Sequence, residues 1–178
     1  MIGHGQIEGF AEKYGMEFHR ARWQEQPNDG LIARHRHQVF PLAHNRGLFA
    51  EVDRFRLYDF YLEGGAVNED VFAYSNEVGG ERSLIVFHNR FADTHGWLRA
   101  AVPVMESRGD GERHLAHHDL AEGLRLPDEG VTLLAFRDLV SGLEYLVPVW
   151  RIREQGLELH LRAYEHRVYL DFREIDPR

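Results

Sequence analysis

The residues best suited to chemistry lie in "HLAHHD", where His114 and His118 stand four apart and Asp119 follows the second. On a helix, imidazoles at i and i+4 share one face, and a neighbouring carboxylate adds an oxygen donor, which is the beginning of a zinc site. A zinc enzyme needs a third fixed ligand and an open position, and the sequence names no donor for it. Twelve histidines in 178 residues make chance clusters common, so the favoured reading is a surface cluster, with no resident metal and no cofactor. "HRH" at His35 to His37 is weaker, because its two imidazoles at i and i+2 point to different sides of a helix.

Acid/base chemistry on a glycoside would need two carboxyl groups flanking one bond, about 5 to 9.5 Å apart according to mechanism. Glu8, Glu12 and Glu17 lie close together in sequence, but nothing in their spacing fixes such a pair, and they read as solvated charges. Ser75, Ser83, Ser107 and Ser141 could each enter a triad on paper, yet no G-x-S-x-G elbow exposes any of them. The aromatic residues Trp23, Trp97, Trp150, Tyr58 and Tyr74 could form a platform for sugar rings. The competing reading is core or interdomain packing. Trp23 is the best of the set.

The elements that must position these groups are set by composition and pattern. With 43% hydrophobic and 12% aromatic residues, the chain holds enough apolar matter for one sizeable domain, or one domain with a helical extension. A net charge of −8, from 29 acidic and 21 basic residues, argues against a nucleic-acid footprint, which needs clustered Lys and Arg. Protonation of all twelve histidines would take the charge to −8 + 12 = +4, which predicts poor solubility in mild acid. No apolar run is long enough to span a bilayer and the N-terminus carries no signal-peptide pattern, so a soluble, cytoplasmic protein without a membrane partner is expected. The lack of cysteine excludes disulfides and thiolate chemistry.

"NDGLIARHRHQVFPLAHNRGLF" reads as one amphipathic helix, N-capped by Asn28 or Asp29 and kinked or restarted at Pro41. "VFAYSNEVGGERSLIVFHN" reads as a hairpin whose turn is Gly79 and Gly80. The pattern weakens between Arg90 and Val131, where "HLAHHDLAEGLRL" suits a short helix ending near Gly123. Beyond it, "VTLLAFRD", "LEYLVPVW", "LELHLRAY" and "RVYLDFRE" read as strands. Leu157, Leu159 and Leu161 alternate with polar residues, the mark of an antiparallel sheet buried on one face. The boundary between a helical N-terminal segment and a β-domain is expected near Glu63 to Ala66, giving parts 1–65 and 66–178.

The opening "MIGHGQIEGF" carries Gly3, Gly5 and Gly9 with no strand before them, which excludes a dinucleotide loop and marks backbone that turns sharply or passes close to something. In its order of elements the chain resembles the C-terminal end of an α-amylase-family glycoside hydrolase. There the last strand of a (β/α)8 barrel ends in a motif close to xYYGxExG. Gly5 and Gly9 match its two glycines, Gly3 and His4 replace its aromatic pair, and Ile7 stands in place of its usual Glu. Gln6 takes a position held there by an acidic or amide residue. The helix at Leu31 to Leu48 resembles the eighth barrel helix, "DVFAYSNEVGGERSLIVFHN" the first hairpin of the family's C-terminal β-domain, and "LELHLRAYEHRVYLDF" its closing strands.

The resemblance implies a mainly β fold: an antiparallel β-sandwich of the amylase C-terminal type behind a remnant of a (β/α)8 barrel. His4, Gln6, Glu8 and Trp23 would then lie at the barrel rim near substrate. The family's catalytic carboxylates lie on earlier strands, so the chain alone would be inactive and would serve to cover or stabilise the barrel in α-glucan metabolism. Its partners would be the missing barrel, or a second copy through the N-terminal helix, and an α-glucan. A stand-alone carbohydrate-binding β-sandwich is the alternative, followed by a small metal-dependent hydrolase built on "HLAHHD".

Overall fold

The computed structural model describes residues 3, 5–12, 19–20, 22–107, 112–127 and 132–176. The chain divides into two compact units, Met1–Arg46 and Gly47–Arg178.

In the first unit, Gly5 to Gly9 forms a turn, and α1 (Asp29–Gln38) and α2 (Phe40–His44) follow later in the chain. Asn28 is the N-cap: its side chain accepts a hydrogen bond from the Leu31 N–H. Pro41 falls in the first turn of α2, where its missing N–H costs nothing, and the expected single helix is broken at Val39, two residues before the proline. A third short helix, α3 (Arg46–Ala50), lies across the division between the units. No apolar side chain among the described residues of Met1–Arg46 is buried.

The second unit is antiparallel β throughout. Its strands are β1 (Arg56–Leu62), β2 (Val71–Val78), β3 (Glu81–His88), β4 (Thr94–Ala101), β5 (Val104–Ser107), β6 (Arg113–Ala116), β7 (Leu133–Asp138), β8 (Glu144–Pro148), β9 (Leu157–Leu161) and β10 (His166–Ile175). Two helices complete it, α4 (Leu120–Gly123) and α5 (Val149–Gln155). Eight strands form one sheet in the order β8-β7-β10-β3-β2-β1-β4-β9, and β5 pairs with β6 in a separate ribbon. The β2–β3 hairpin has the expected register, Val78 opposite Glu81, with Gly79 and Gly80 both at positive φ.

The sheet is curled, and its connectivity requires this. Laid flat, eight strands would set β8 and β9 about 34 Å apart. Yet α5, seven residues with a rise of about 10 Å, is all that joins them. The curl lets alternate residues of most strands meet in one core. Phe60, Leu84, Val86, Leu98, Phe136, Leu161 and Tyr169 form it, closed by Leu120 and Leu124 from the α4 segment and by Val149 and Ile152 of α5. The β9 alternation holds as read, with Leu157, Leu159 and Leu161 buried and Glu158 and His160 exposed.

Two expectations change. Strand β1 pairs with β2 on one side and β4 on the other, so the β-unit begins at Gly47, and Glu63 to Ala66 is the turn after β1 instead of a linker. Tyr58 and Phe60 are the buried alternate residues of that strand, a short period-2 signal overshadowed by the helix pattern before it. "LEYLVPVW" is also not one strand, because Pro148 ends β8 and becomes the N-cap of α5. Among the described residues, no helix is long and apolar enough to cross a membrane.

Candidate functional site

In the first unit the opening glycines build a tight turn. Gly5, at φ 71°, accepts the N–H groups of Gly9 and Phe10 at 2.8 and 2.9 Å, and Gly9 itself sits at φ 80°. A Cβ on Gly5 would lie 2.8 Å from Phe10 Cβ, and one on Gly9 2.8 Å from Leu31 Cδ2. Both the turn and the close approach therefore demand glycine. Gln6 folds back so that its Oε1 accepts the Gly3 N–H at 2.6 Å. The Glu8 carbonyl accepts the Asn28 N–H at 2.8 Å. His35 donates Nδ1–H to the Ile7 carbonyl at 3.2 Å, which fixes its tautomer because a carbonyl only accepts. Gln6, Ile7, His35, Val39 and Phe40 line a cleft of about 350 Å³ beside this turn.

The carboxylates nearby are engaged in structure. Both oxygens of Glu12 accept backbone N–H groups, those of Arg22 and Trp23, while Glu25 accepts those of Ala11 and Glu12. Trp23 is held by its backbone and presents its ring to solvent, 61% exposed. His4 and Glu17 lie outside the described residues.

In the second unit the "HLAHHD" cluster is spread over three kinds of backbone, so the shared helical face does not exist. His114 is on β6, His118 follows that strand, and Asp119 is the N-cap of α4. Asp119 forms a capping box: it accepts the Glu122 N–H at 2.7 Å while Glu122 accepts the Asp119 N–H at 2.8 Å. A capping carboxylate is committed to backbone. No group of three metal-donor side chains forms among the described residues.

What the fold assembles instead is a carboxylate held by a cation and an imidazole. Glu106 on β5 accepts Arg56 Nη2–H at 2.7 Å and His118 Nε2–H at 3.0 Å on the same oxygen, and His114 is its cross-strand partner. The hydrogen bond from His118 is the largest influence on the Glu106 carboxyl. With the charges of His118, Arg56 and His114, it outweighs burial and holds the group below the ordinary carboxylate range. Such a group stays ionised near neutrality and cannot deliver a proton as a general acid. Arg56 also donates to the carbonyls of Asp53 and Phe55, so the cluster ties the β5–β6 ribbon to β1. Sequence reading missed it because Arg56 and Glu106 are 50 residues apart and meet only through the sheet.

A second cleft, of about 390 Å³, opens beside the β2–β3 turn between Glu51, Arg54, Glu77, Gly80 and Arg125. Glu77 is buried, and burial alone would raise its carboxyl. The Gly80 N–H at 2.9 Å and Arg125 at 3.3 Å overcome that, with Arg54 adding to them, so the group lies below its ordinary range. This carboxylate already occupies the place an anion would take.

The serines considered for a triad are likewise committed. Ser75 pairs with the Tyr58 hydroxyl at 2.6 Å and Ser141 donates to Asp138 at 2.6 Å. Tyr58 is core, its hydroxyl pushed up to about 12 chiefly by burial. Trp97 is flanked along β4 by His95, ring centroids 4.9 Å apart, and by the Arg99 guanidinium at 5.2 Å. The aromatic residues most open to solvent on the β-unit include two that sequence reading passed over, Phe91 and Tyr164, 83% and 56% exposed. They come from separate loops, and no local spacing links them. No family model matches the chain, and no curated protein matches it.

Proposed function

We propose that this chain is the C-terminal region of an α-amylase-like glycoside hydrolase, a β-unit and a preceding barrel remnant that together cover and stabilise a catalytic barrel acting on α-glucans. The observation that carries this reading is the contrast in burial. The unit Gly47–Arg178 has a closed core, whereas the glycine turn, α1 and α2 bury no apolar side chain among the described residues. A helical segment of this kind is completed by a larger body, here the barrel, with Gln6, Glu8 and Trp23 toward its rim. The curled sheet agrees with the β-sandwich expected of such a domain, since a sheet folded onto itself buries its two halves against each other. Without the barrel, Leu31, Ile32, Val39 and Leu42 would dock on a second copy.

On this reading the chain alone turns over nothing. Incubation with starch, maltooligosaccharides and chromogenic α-glucosides gives no hydrolysis, and light scattering at micromolar concentration gives dimers or larger species. The chromosomal reading frame is the direct test: barrel strands encoded immediately upstream establish the proposal. Hydrolysis by the isolated chain that one carboxylate substitution abolishes would sink it.

A further inference from the structure

The sheet sets two of the histidines opposite each other. His95 on β4 and His160 on β9 are direct cross-strand partners, and the next pair toward the core of the ladder on the same face is Trp97 opposite Glu158. Residues opposed in this way have Cβ atoms about 4.5 to 5.5 Å apart. A slip by one residue would turn Leu157, Leu159 and Leu161 out of the core, so burial fixes the register that pairs the two imidazoles. Both face solvent, and their ring centroids are 6.5 Å apart.

His95 is already oriented. Its Nε2 lies 2.9 Å from Glu158 Oε1, and because a carboxylate accepts, that nitrogen carries the proton and Nδ1 keeps its lone pair. The Trp97 ring flanks the imidazole, with centroids 4.9 Å apart. Arg151 of α5 donates to the other Glu158 oxygen at 3.2 Å and so holds the carboxylate in turn. This is the supporting half of a metal site: an imidazole that donates one nitrogen to a carboxylate has a fixed tautomer and a more basic second nitrogen. Among the described residues no hydrogen bond engages His95 Nδ1 or the His160 ring.

We propose that His95 and His160 chelate a divalent first-row transition ion, with water completing its coordination, and that the ion clamps the edge strand β9 to β4. A metal about 2.0 to 2.1 Å from one nitrogen of each ring sets the two centroids about 5 to 6 Å apart, so a small rotation of the exposed His160 side chain closes the gap. Two imidazoles suit zinc, copper and nickel and disfavour calcium and magnesium, which take oxygen ligands. Two protein ligands are fewer than a structural zinc site uses, and the Arg151 and Arg99 guanidinium groups stand close by on Glu158 and Trp97. Binding is therefore reversible, and it adds to a β-unit that folds without it. The clamp sits at the end of the sheet, where β9 pairs with β4 alone. It is independent of the amylase reading, because it takes no sugar and touches nothing of the first unit.

Copper(II) titrated into the full chain, followed by calorimetry and by NMR of the histidine rings, tests the site, because paramagnetic broadening reports which imidazoles the ion touches. The first equivalent is expected to broaden His95 and His160 before any other histidine. His160→Ala weakens that equivalent about tenfold or more, since a chelate becomes a single ligand. Glu158→Gln weakens it about tenfold without removing a coordination bond, and His114→Ala leaves it unchanged. Both imidazoles are exposed, so without metal His160→Ala melts as the parent does. Zinc then raises the melting temperature of the parent and not that of His160→Ala, as an ion bound only in the folded register must. Broadening that begins at His35, His37 or His114, or a first equivalent that survives His160→Ala undiminished, overturns the site. A parent melt indifferent to zinc overturns the clamp.

Discussion

The units Met1–Arg46 and Gly47–Arg178 are made from similar residue types and end up physically opposite. In the second, the curled sheet with α4 and α5 puts Phe60, Leu84, Leu98 and Leu161 out of reach of water in one cluster. In the first, Leu31, Ile32, Phe40 and Leu42 remain partly exposed along two short helices. The difference lies in closure: a sheet curled back on itself supplies a second wall for every buried side chain, and a pair of short helices joined at Val39 does not. Secondary structure without a core is held by whatever it docks on.

The sharpest way to break this comparison is to separate the units. A chain of residues 47–178 is expected to unfold in one cooperative β-type transition, and residues 1–46 alone to show no cooperative melt by circular dichroism. A cooperative melt of residues 1–46 would reverse the assignment of the core. Next in size, Phe60→Ala lowers stability by about 4 kcal/mol in urea titration, whereas Leu31→Ala on α1 costs about 0.5 kcal/mol. Comparable losses at the two positions would place a second core in the first unit.

Gly156 tests the curl. It ends α5 at φ 81°, and a Cβ there would collide with the Leu98 carbonyl. Gly156→Ala is expected to cost about 3 kcal/mol, because the turn joining the sheet edges must shift. A near-neutral result would show that α5 does not set that approach.

Acid sharpens the contrast further. Asp138 is buried, which alone would raise its carboxyl, but Ser141 and the N–H groups of Val168 and Val140 hold it below its ordinary range. Glu77 and Glu106 are also depressed. A carboxyl with a folded pKa below its unfolded one stabilises the fold above the unfolded pKa, and that contribution is lost as pH falls through the folded value. Melts of residues 47–178 should therefore fall as pH drops below about 4. Asp138→Ala should flatten that dependence and cost about 3 kcal/mol at pH 7 from stranded N–H groups. Asn28→Ala is a local effect, about 1 kcal/mol of helix stability, read as faster amide exchange at Leu31 with no change in the β-unit melt.

The sequence by itself determined what local physics controls. Gly79 and Gly80 are the residues that a two-residue hairpin turn requires, and the β2–β3 hairpin has the register they imply. The leucine alternation of β9 told its buried face, and Asn28 before α1 marked a helix start, because each signal lies within a few residues. Only the tertiary structure decided the rest. Strand β1 lacks β-branched residues and becomes interior through pairing with both β2 and β4. The histidines of "HLAHHD" part company because pairing with β5 places His114 in a ribbon, while Asp119 caps α4. Arg56 meets Glu106, and Phe91 meets Tyr164, across 50 and 73 residues. Spacing along a chain reports which groups share a turn or a strand face. Which groups share a site depends on how the sheet closes, and that is fixed by the burial of the whole core at once.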